Sequence, residues 1–226
     1  MICAKYGHNP GQAHLKAAKR ILRYLSGTRT HRISYGPNPH TIIGKSGSTL
    51  VGLVDSDWAS DKDKRRSTTG FVFYLNGGPV NWKSRLQKCI AQSSAEAEYI
   101  AASESSKVAV WLQRLSQSLP SAQPLQEGTL VMHCDNQAAL AIIKNPICSS
   151  KTKHVELRYH LVRDYVTRKL LKFQYIPTEE NIADIFTKPL DKSIFEKHRD
   201  SLLKKPPLDT SELDTNQVQE NAHASS

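Results

Sequence analysis

At 226 residues the chain is long enough for one domain with attachments, or for two small ones. Only 38% of it is hydrophobic, so part of the length lies outside any core, and its net charge of +10 favours a polyanionic partner, nucleic acid first. The four cysteines (Cys3, Cys89, Cys134, Cys148) show no CxxC pair, and no run reaches about 18 apolar residues; a disulfide framework, a cysteine zinc site, a membrane span and a secretory leader are therefore not expected.

In chain order, Asn9-Pro10 reads as a helix start, with Ala18, Ile21, Leu22 and Leu25 as one apolar stripe and Gly27 as the stop. The other faces of this helix carry His14, Lys16, Lys19, Arg20 and Arg23. Residues 36–47, rich in Gly, Pro, Asn and Ser, read as a linker or loose hairpin. The nearly continuous apolar run Thr49 to Val54 predicts a strand buried on both faces. After the charged turn Asp61 to Arg66, Thr69 to Leu75 is a second strand. Asn76-Gly77-Gly78 closes it as a hairpin, and a third strand lies near Val80 to Ser84. From Ser93 to about Ser116 the apolar period becomes helical. A strand at Leu130 to Cys134, helices at Asn136 to Lys144 and Val155 to Arg168, a strand at Leu171 to Ile176 and a helix after Thr178 complete the series. The order βββ-α-β-α-β-α predicts an α/β fold, a mixed sheet with helices packed on it. Beyond Lys204 the composition is too polar to order itself.

Four carboxylates, Asp55, Glu98, Asp135 and Asp184, sit where these elements begin or end. Held by a rigid α/β scaffold, such a cluster suits hard divalent cations. Each also has an ordinary explanation. Asp55 ends a strand, and Asp57, two residues on, competes for the same face. Ser93-x-x-Glu96 fits a capping box in which Glu96 folds back onto the Ser93 N–H; positions two apart on a helix differ by about 200°, which leaves Glu98 free to face the sheet. Asp135 fits a helix N-cap, and Asp184 the first turn of a helix, where the dipole favours an acid.

Five blocks, Val54-Asp-Ser-Asp-Trp-Ala59 with Lys64-Arg-Arg-Ser-Thr-Thr-Gly-Phe-Val-Phe73, Ser93-Ser-Ala-Glu-Ala-Glu-Tyr-Ile-Ala101, Cys134-Asp-Asn-Gln-Ala-Ala139, Lys153-His-Val-Glu-Leu-Arg-Tyr-His-Leu-Val-Arg-Asp164 and Ala183-Asp-Ile-Phe-Thr-Lys-Pro189, carry a resemblance. They follow the order of the ribonuclease H domain at the C-terminus of Ty1/copia retrotransposon Pol polyproteins. The first helix, closing on Arg23-Tyr-Leu-Ser-Gly-Thr28, resembles the last segment of the preceding reverse transcriptase. The resemblance divides the chain into a reverse-transcriptase remnant (1–30), a linker (31–48), a ribonuclease H-like domain (49–192) and a largely disordered tail (193–226). The chain then looks like the C-terminal piece of a longer polyprotein.

What the resemblance implies is a ribonuclease H-like fold: five strands in a mixed sheet, the first three antiparallel, with helices on both faces. It also implies hydrolysis of the RNA strand of RNA–DNA hybrids during reverse transcription. Asp55, Glu98, Asp135 and Asp184 would be both the catalytic and the metal-binding residues, holding two Mg²⁺ ions for which Mn²⁺ can substitute. Asp57 stays open as an alternative to Asp55. The implied partners are an RNA–DNA hybrid and the reverse-transcriptase part of a full-length polyprotein, with no membrane and no small-molecule cofactor. The expected location is the cytoplasm, within a virus-like particle if the parent element is intact, or the nucleus. Some ribonucleases H carry a histidine before the last aspartate; Ile176 to Ile182 has none, and a substitution by Glu179 or Glu180 is not favoured. His154 and His160, six apart, do not share a helix face and make a poor metal pair. Arg65, Arg66, Lys83, Arg85 and Lys88 are candidate phosphate contacts. Transposases and integrases of the superfamily place the glutamate last, whereas Glu98 stands second, which disfavours strand transfer. The alternative is a catalytically idle, degenerate fragment that at most binds nucleic acid.

Overall fold

The structure is a computed structural model that describes residues 2–36, 50–118, 129–144 and 153–205, with side chains left aside at 2, 5 and 153–159. Its chain divides into two compact units, one formed by 1–32 with 203–226 and the other by 33–202.

In the first unit a short helix, α1 (Ile2–Lys5), precedes α2 (Gln12–Gly27). The start of α2 falls later than Asn9-Pro10 suggests. Gly11 is its N-cap, and the Gly11 N–H donates to Nδ1 of His14 at 2.9 Å, while the Tyr6 ring stacks on that imidazole. The expected stripe is present, but α2 buries none of its residues: Ile21, Leu22 and Leu25 are all exposed. In the same unit Arg32 and Lys204 exchange backbone hydrogen bonds as an antiparallel bridge.

The second unit is built on a five-stranded sheet of order β3-β2-β1-β4-β5. β1 (Val51–Asp57), β2 (Thr68–Leu75) and β3 (Gly78–Leu86) pair antiparallel in succession, β4 (Leu130–Cys134) pairs parallel with β1, and β5 (Leu171–Tyr175) pairs parallel with β4. This is the mixed sheet expected from the element order. β1 lies in the middle and is buried on both faces, as its unbroken apolar run requires. The β2–β3 hairpin turns on Asn76 and Gly77, whose φ of 49° and 74° match the twist of the flanking strands. Gly78 already belongs to β3. A side chain there would run into Tyr35 and the Ser34 carbonyl, so the position needs glycine for space.

Alternation along the strands assigns the two faces. Val54, Phe71, Phe73, Met132 and Phe173 point into the larger core with Tyr99 and Ala102 of α3 (Ser94–Ser118). That core is closed by α4 (Gln137–Lys144) and α5 (Lys153–Thr167). Leu53, Val72 and Tyr74 point the other way, onto Ile176, Ile182 and Ala183. Here the expected helix after Thr178 is replaced by two 3₁₀ turns, Thr178–Glu180 and Ile182–Phe186, followed by α6 (Lys192–Leu202). Helical structure therefore covers both faces. The tail boundary at 193 needs correcting: α6 runs to Leu202, buries His198, and packs Leu202 into the second core. The polar stretch beyond 205, residues 37–48 of the expected 31–48 linker, and residues 119–128 and 145–152 lie outside the described residues. No helix among the described residues is long and apolar enough to cross a membrane.

Candidate metal centre

β1 and β4 are parallel neighbours, and their C-terminal ends open a crevice where α/β sheets bind ligands. Asp55 sits near the end of β1 and is 2% exposed. Asp135 follows the last residue of β4. α3 crosses beneath with Glu98 buried, and the second 3₁₀ turn brings Asp184, also buried. Carboxylate oxygens of Asp55, Asp135 and Asp184 lie within 4.8 Å of one another, and so do ligand atoms of Glu98, Cys134 and Asp135. Asp135 belongs to both groups, so the four predicted acids form one connected cluster. Asp57 belongs to neither, and its carbonyl instead accepts from the Ser60 hydroxyl.

The local explanations for these acids resolve in detail. Ser93 accepts from the Glu96 N–H at 3.2 Å, but the Glu96 carboxylate accepts from the N–H of Gln92 at 2.8 Å, one residue before the expected Ser93. Glu96 is thus spent on the helix end, and Glu98, about 200° round, turns inward. Its Oε1 accepts from the Ser56 N–H at 3.1 Å, which ties α3 to β1. Asp135 is not the N-cap of α4. Asn136 takes that role, accepting from the Ala139 N–H at 2.9 Å and leaving Asp135 out of the cap. Asp184 lies on a 3₁₀ turn, where a long-helix dipole is not available to it.

Asn181, fully buried, places that turn. Its Nδ2 donates to the Val54 carbonyl at 3.0 Å, and its Oδ1 accepts from the Ala183 N–H at 3.2 Å. Gly70, the β2 residue paired with Asp55, makes room for it. A Cβ on Gly70 would stand 2.5 Å from Thr187 Cγ2, 2.9 Å from Phe186 Cβ and 3.0 Å from the Ala183 carbonyl.

Burial and crowding dominate the electrostatics. Burial, then the Asp184 charge, pushes Asp55 up to about 7 against the pull of Lys188 and the Thr187 hydroxyl. Glu98 is raised well above the carboxylate range by burial and then by Asp55 and Asp135. Asp184 is also raised, chiefly by burial, with Lys188 opposing. Oδ1 of Asp184 is buried without a hydrogen-bond partner. Burial drives the Cys134 thiol up, so it stays protonated; its Sγ approaches Glu98 Oε2 at 3.9 Å and is a poor donor to a hard cation.

Residues given no role from the sequence complete the site. The Thr187 hydroxyl donates to Asp55 Oδ2, the Lys188 ammonium lies 3.0 Å from Asp184 Oδ2, and the Thr178 hydroxyl donates to Asp135 Oδ2 at 2.7 Å. Thr187 and Lys188 stand three and four residues after Asp184, the spacing of one helical turn, which was the available signal. Among the basic candidates, Lys83 is held by Glu104 at 3.3 Å over the Phe71 ring, while Arg85 and Lys88 are exposed. Glu179 receives Lys197 on its carbonyl, at 2.8 Å. His160 is exposed, and the side chain of His154 is outside the described set.

No family model matches the chain. Over 195 residues it is 40% identical to the retrovirus-related Pol polyprotein of transposon TNT 1-94 from Nicotiana tabacum, covering 86% of this chain and 14% of that protein. It is 37% identical over 195 residues to the Pol polyprotein of transposon RE1 from Arabidopsis thaliana, covering 85% and 12%. The chain belongs to the copia-type retrotransposon Pol family. This copia-type chain spans about one seventh of the length of those relatives. Its five-stranded mixed sheet is the one the sequence resemblance led us to expect, and the four expected acids meet at one edge of it. The LC11 ribonuclease H1 isolated from compost superposes loosely on it, with a TM-score of 0.44 at 15% identity over 66% of this chain and 97% of that one.

Proposed function

We propose that this copia-type domain hydrolyses the RNA strand of RNA–DNA hybrids, with Asp55, Glu98, Asp135 and Asp184 as its metal-binding and catalytic residues. The observation that carries the reading is the convergence of these acids at one crevice, with Asp184 Oδ1 buried and unpartnered. Four carboxylates, beside a Cys134 thiol that stays protonated, suit Mg²⁺, with Mn²⁺ as substitute, and a buried oxygen that no protein group satisfies suits a cation ligand. Two such ions bound here supply Lewis-acid polarisation of the phosphodiester and a lowered pKa for water.

The chain's own groups hold the acids in place. The Ser56 N–H orients Glu98, the Thr178 hydroxyl orients Asp135, and Asn181 with Gly70 seats the turn that bears Asp184. Asp135, more exposed than the other three, faces the side from which a phosphate enters. A net charge of +10 favours the polyanion, and exposed Arg65, Arg85 and Lys88 are available to its phosphates. Choice of a hybrid over DNA rests on 2′-hydroxyl contacts and groove shape. In a full-length polyprotein the reverse-transcriptase part is the natural partner for holding the hybrid.

The test is cleavage of an end-labelled RNA–DNA hybrid by the purified chain at micromolar concentration in Mg²⁺ or Mn²⁺, beside Asp135→Asn. Loss of several kcal/mol of charge stabilisation lowers the rate on the order of 10³-fold in the variant. A silent wild type, or equal cleavage by both proteins, overturns the reading.

A further inference from the structure

The acid cluster already contains a cation of its own. Lys188 Nζ lies 3.0 Å from Asp184 Oδ2 and 3.9 Å from Asp55 Oδ2, joining two carboxylates that approach from the 3₁₀ turn and from β1. Both acids are almost wholly buried, whereas the lysine side chain is 31% exposed. Lys188 sits four residues after Asp184, at the end of the segment that Asn181 pins to β1. Its charge therefore arrives from the rim of the crevice on a flexible stem, while the acids are fixed to the scaffold.

Mg²⁺ binds carboxylate oxygens at about 2.0–2.1 Å, and its ligand oxygens must close around it. A divalent ion between Asp55 and Asp184 and an ammonium on the same two oxygens compete for one place. Without either cation, two buried carboxylates this close must share a proton or repel one another, and either state costs stability when both are to be ionised.

We propose that Lys188 is a resident counter-ion of this cluster: it holds Asp55 and Asp184 together in the metal-free protein, is displaced when a divalent cation binds, and so sets the cation affinity from within. The inference rests on the metal-site reading above. Lys188 acts through the acids and is a positioning residue. Its displacement requires only rotation about its own stem, which the exposed side of the chain permits.

The test uses the whole chain and does not depend on cleavage. Wild type, Lys188→Met and Lys188→Arg are melted in EDTA and titrated calorimetrically with MgCl₂. Lys188→Met is expected to melt lower than wild type in EDTA and to bind Mg²⁺ more tightly, on the order of tenfold, as the competing ion pair is removed. Lys188→Arg, which keeps the charge, is expected to retain metal-free stability and the weaker affinity. A lysine needed only for packing would lower stability with no gain in affinity. Unchanged or weaker Mg²⁺ binding by Lys188→Met overturns the inference and leaves the metal-site reading standing. A titration silent in all three proteins overturns both. If Lys188→Met folds only with Mg²⁺, the inference is supported; if it fails to fold with Mg²⁺ while Lys188→Arg folds, the inference is overturned.

Discussion

Glu96 and Glu98 lie on the same helix two positions apart, and their surroundings assign them different consequences when changed. Glu96 is half-buried and closes the end of α3 through the Gln92 N–H, so Glu96→Ala is expected to cost about 1 kcal/mol of stability and to leave Mg²⁺ binding intact. Glu98 is buried among like charges, and its Oε1 holds the Ser56 N–H. Glutamine can accept the same hydrogen bond without the charge. Glu98→Gln is therefore expected to keep or raise the melting temperature in EDTA while lowering hybrid cleavage on the order of 10³-fold. Urea unfolding and a hybrid assay on the two variants check the pair. The choice between these glutamates was legible because it depends on a capping pattern and the helical period, both local to the sequence. The choice between Asp55 and Asp57 was not, since positions two apart on a strand share a face. What separates them is Thr187, far along the chain, whose hydroxyl reaches Asp55.

Among the elements, the contact of β2 with the turn Ile182–Phe186 matters most to the site. Gly70 lets the turn lie flat on the sheet, and one of the atoms it spares is a backbone carbonyl that no rotamer change can move. Gly70→Ala is expected to cost roughly 1–3 kcal/mol through overpacking and to displace Asp184, weakening Mg²⁺ binding. Denaturant unfolding with a calorimetric Mg²⁺ titration measures both effects; undiminished affinity would contradict this account of how the turn is seated. Strands and long helices announced themselves in the sequence, because each repeats its apolar period over several turns or pleats. The two 3₁₀ turns did not: three and five residues are too few for a period, and their conformation follows from Asn181 bonding the Val54 carbonyl. A similar one-residue ambiguity made Asp135 resemble an N-cap when Asn136 holds that place.

At the scale of the whole molecule, the buried acids and buried histidines give metal-free stability opposing pH dependences. Asp55 is raised from 3.8 to about 7, so between those values the folded chain holds a proton that the unfolded chain releases, and stability falls as pH rises across that window. Glu98 and Asp184 are shifted in the same direction. His198, lowered by burial and then by Lys197 and Lys188, works the other way: below the ordinary 6.5 the unfolded chain gains the proton first, and stability is lost as pH falls. His133 is likewise lowered by burial. In EDTA, Asp55→Asn is expected to lose part of the stability that wild type gains on moving from about pH 7 towards 4, which melts across that range in both proteins will read. An unchanged profile would show that Asp55 does not carry the shift.

Local repetition and block order were enough, from the sequence alone, to place the strands, the long helices, the mixed α/β sheet and the copia-type family. Period, turn chemistry and capping act over a few residues and can be read without a fold. The tertiary structure alone decided that Asn181 and Gly70 bring Asp184 against Asp55, that Asp57 stays outside the cluster, and that Lys188 lies on two of the acids. Asp55 and Lys188 are more than a hundred residues apart in the chain, and only the packing of a short turn on the sheet makes them neighbours.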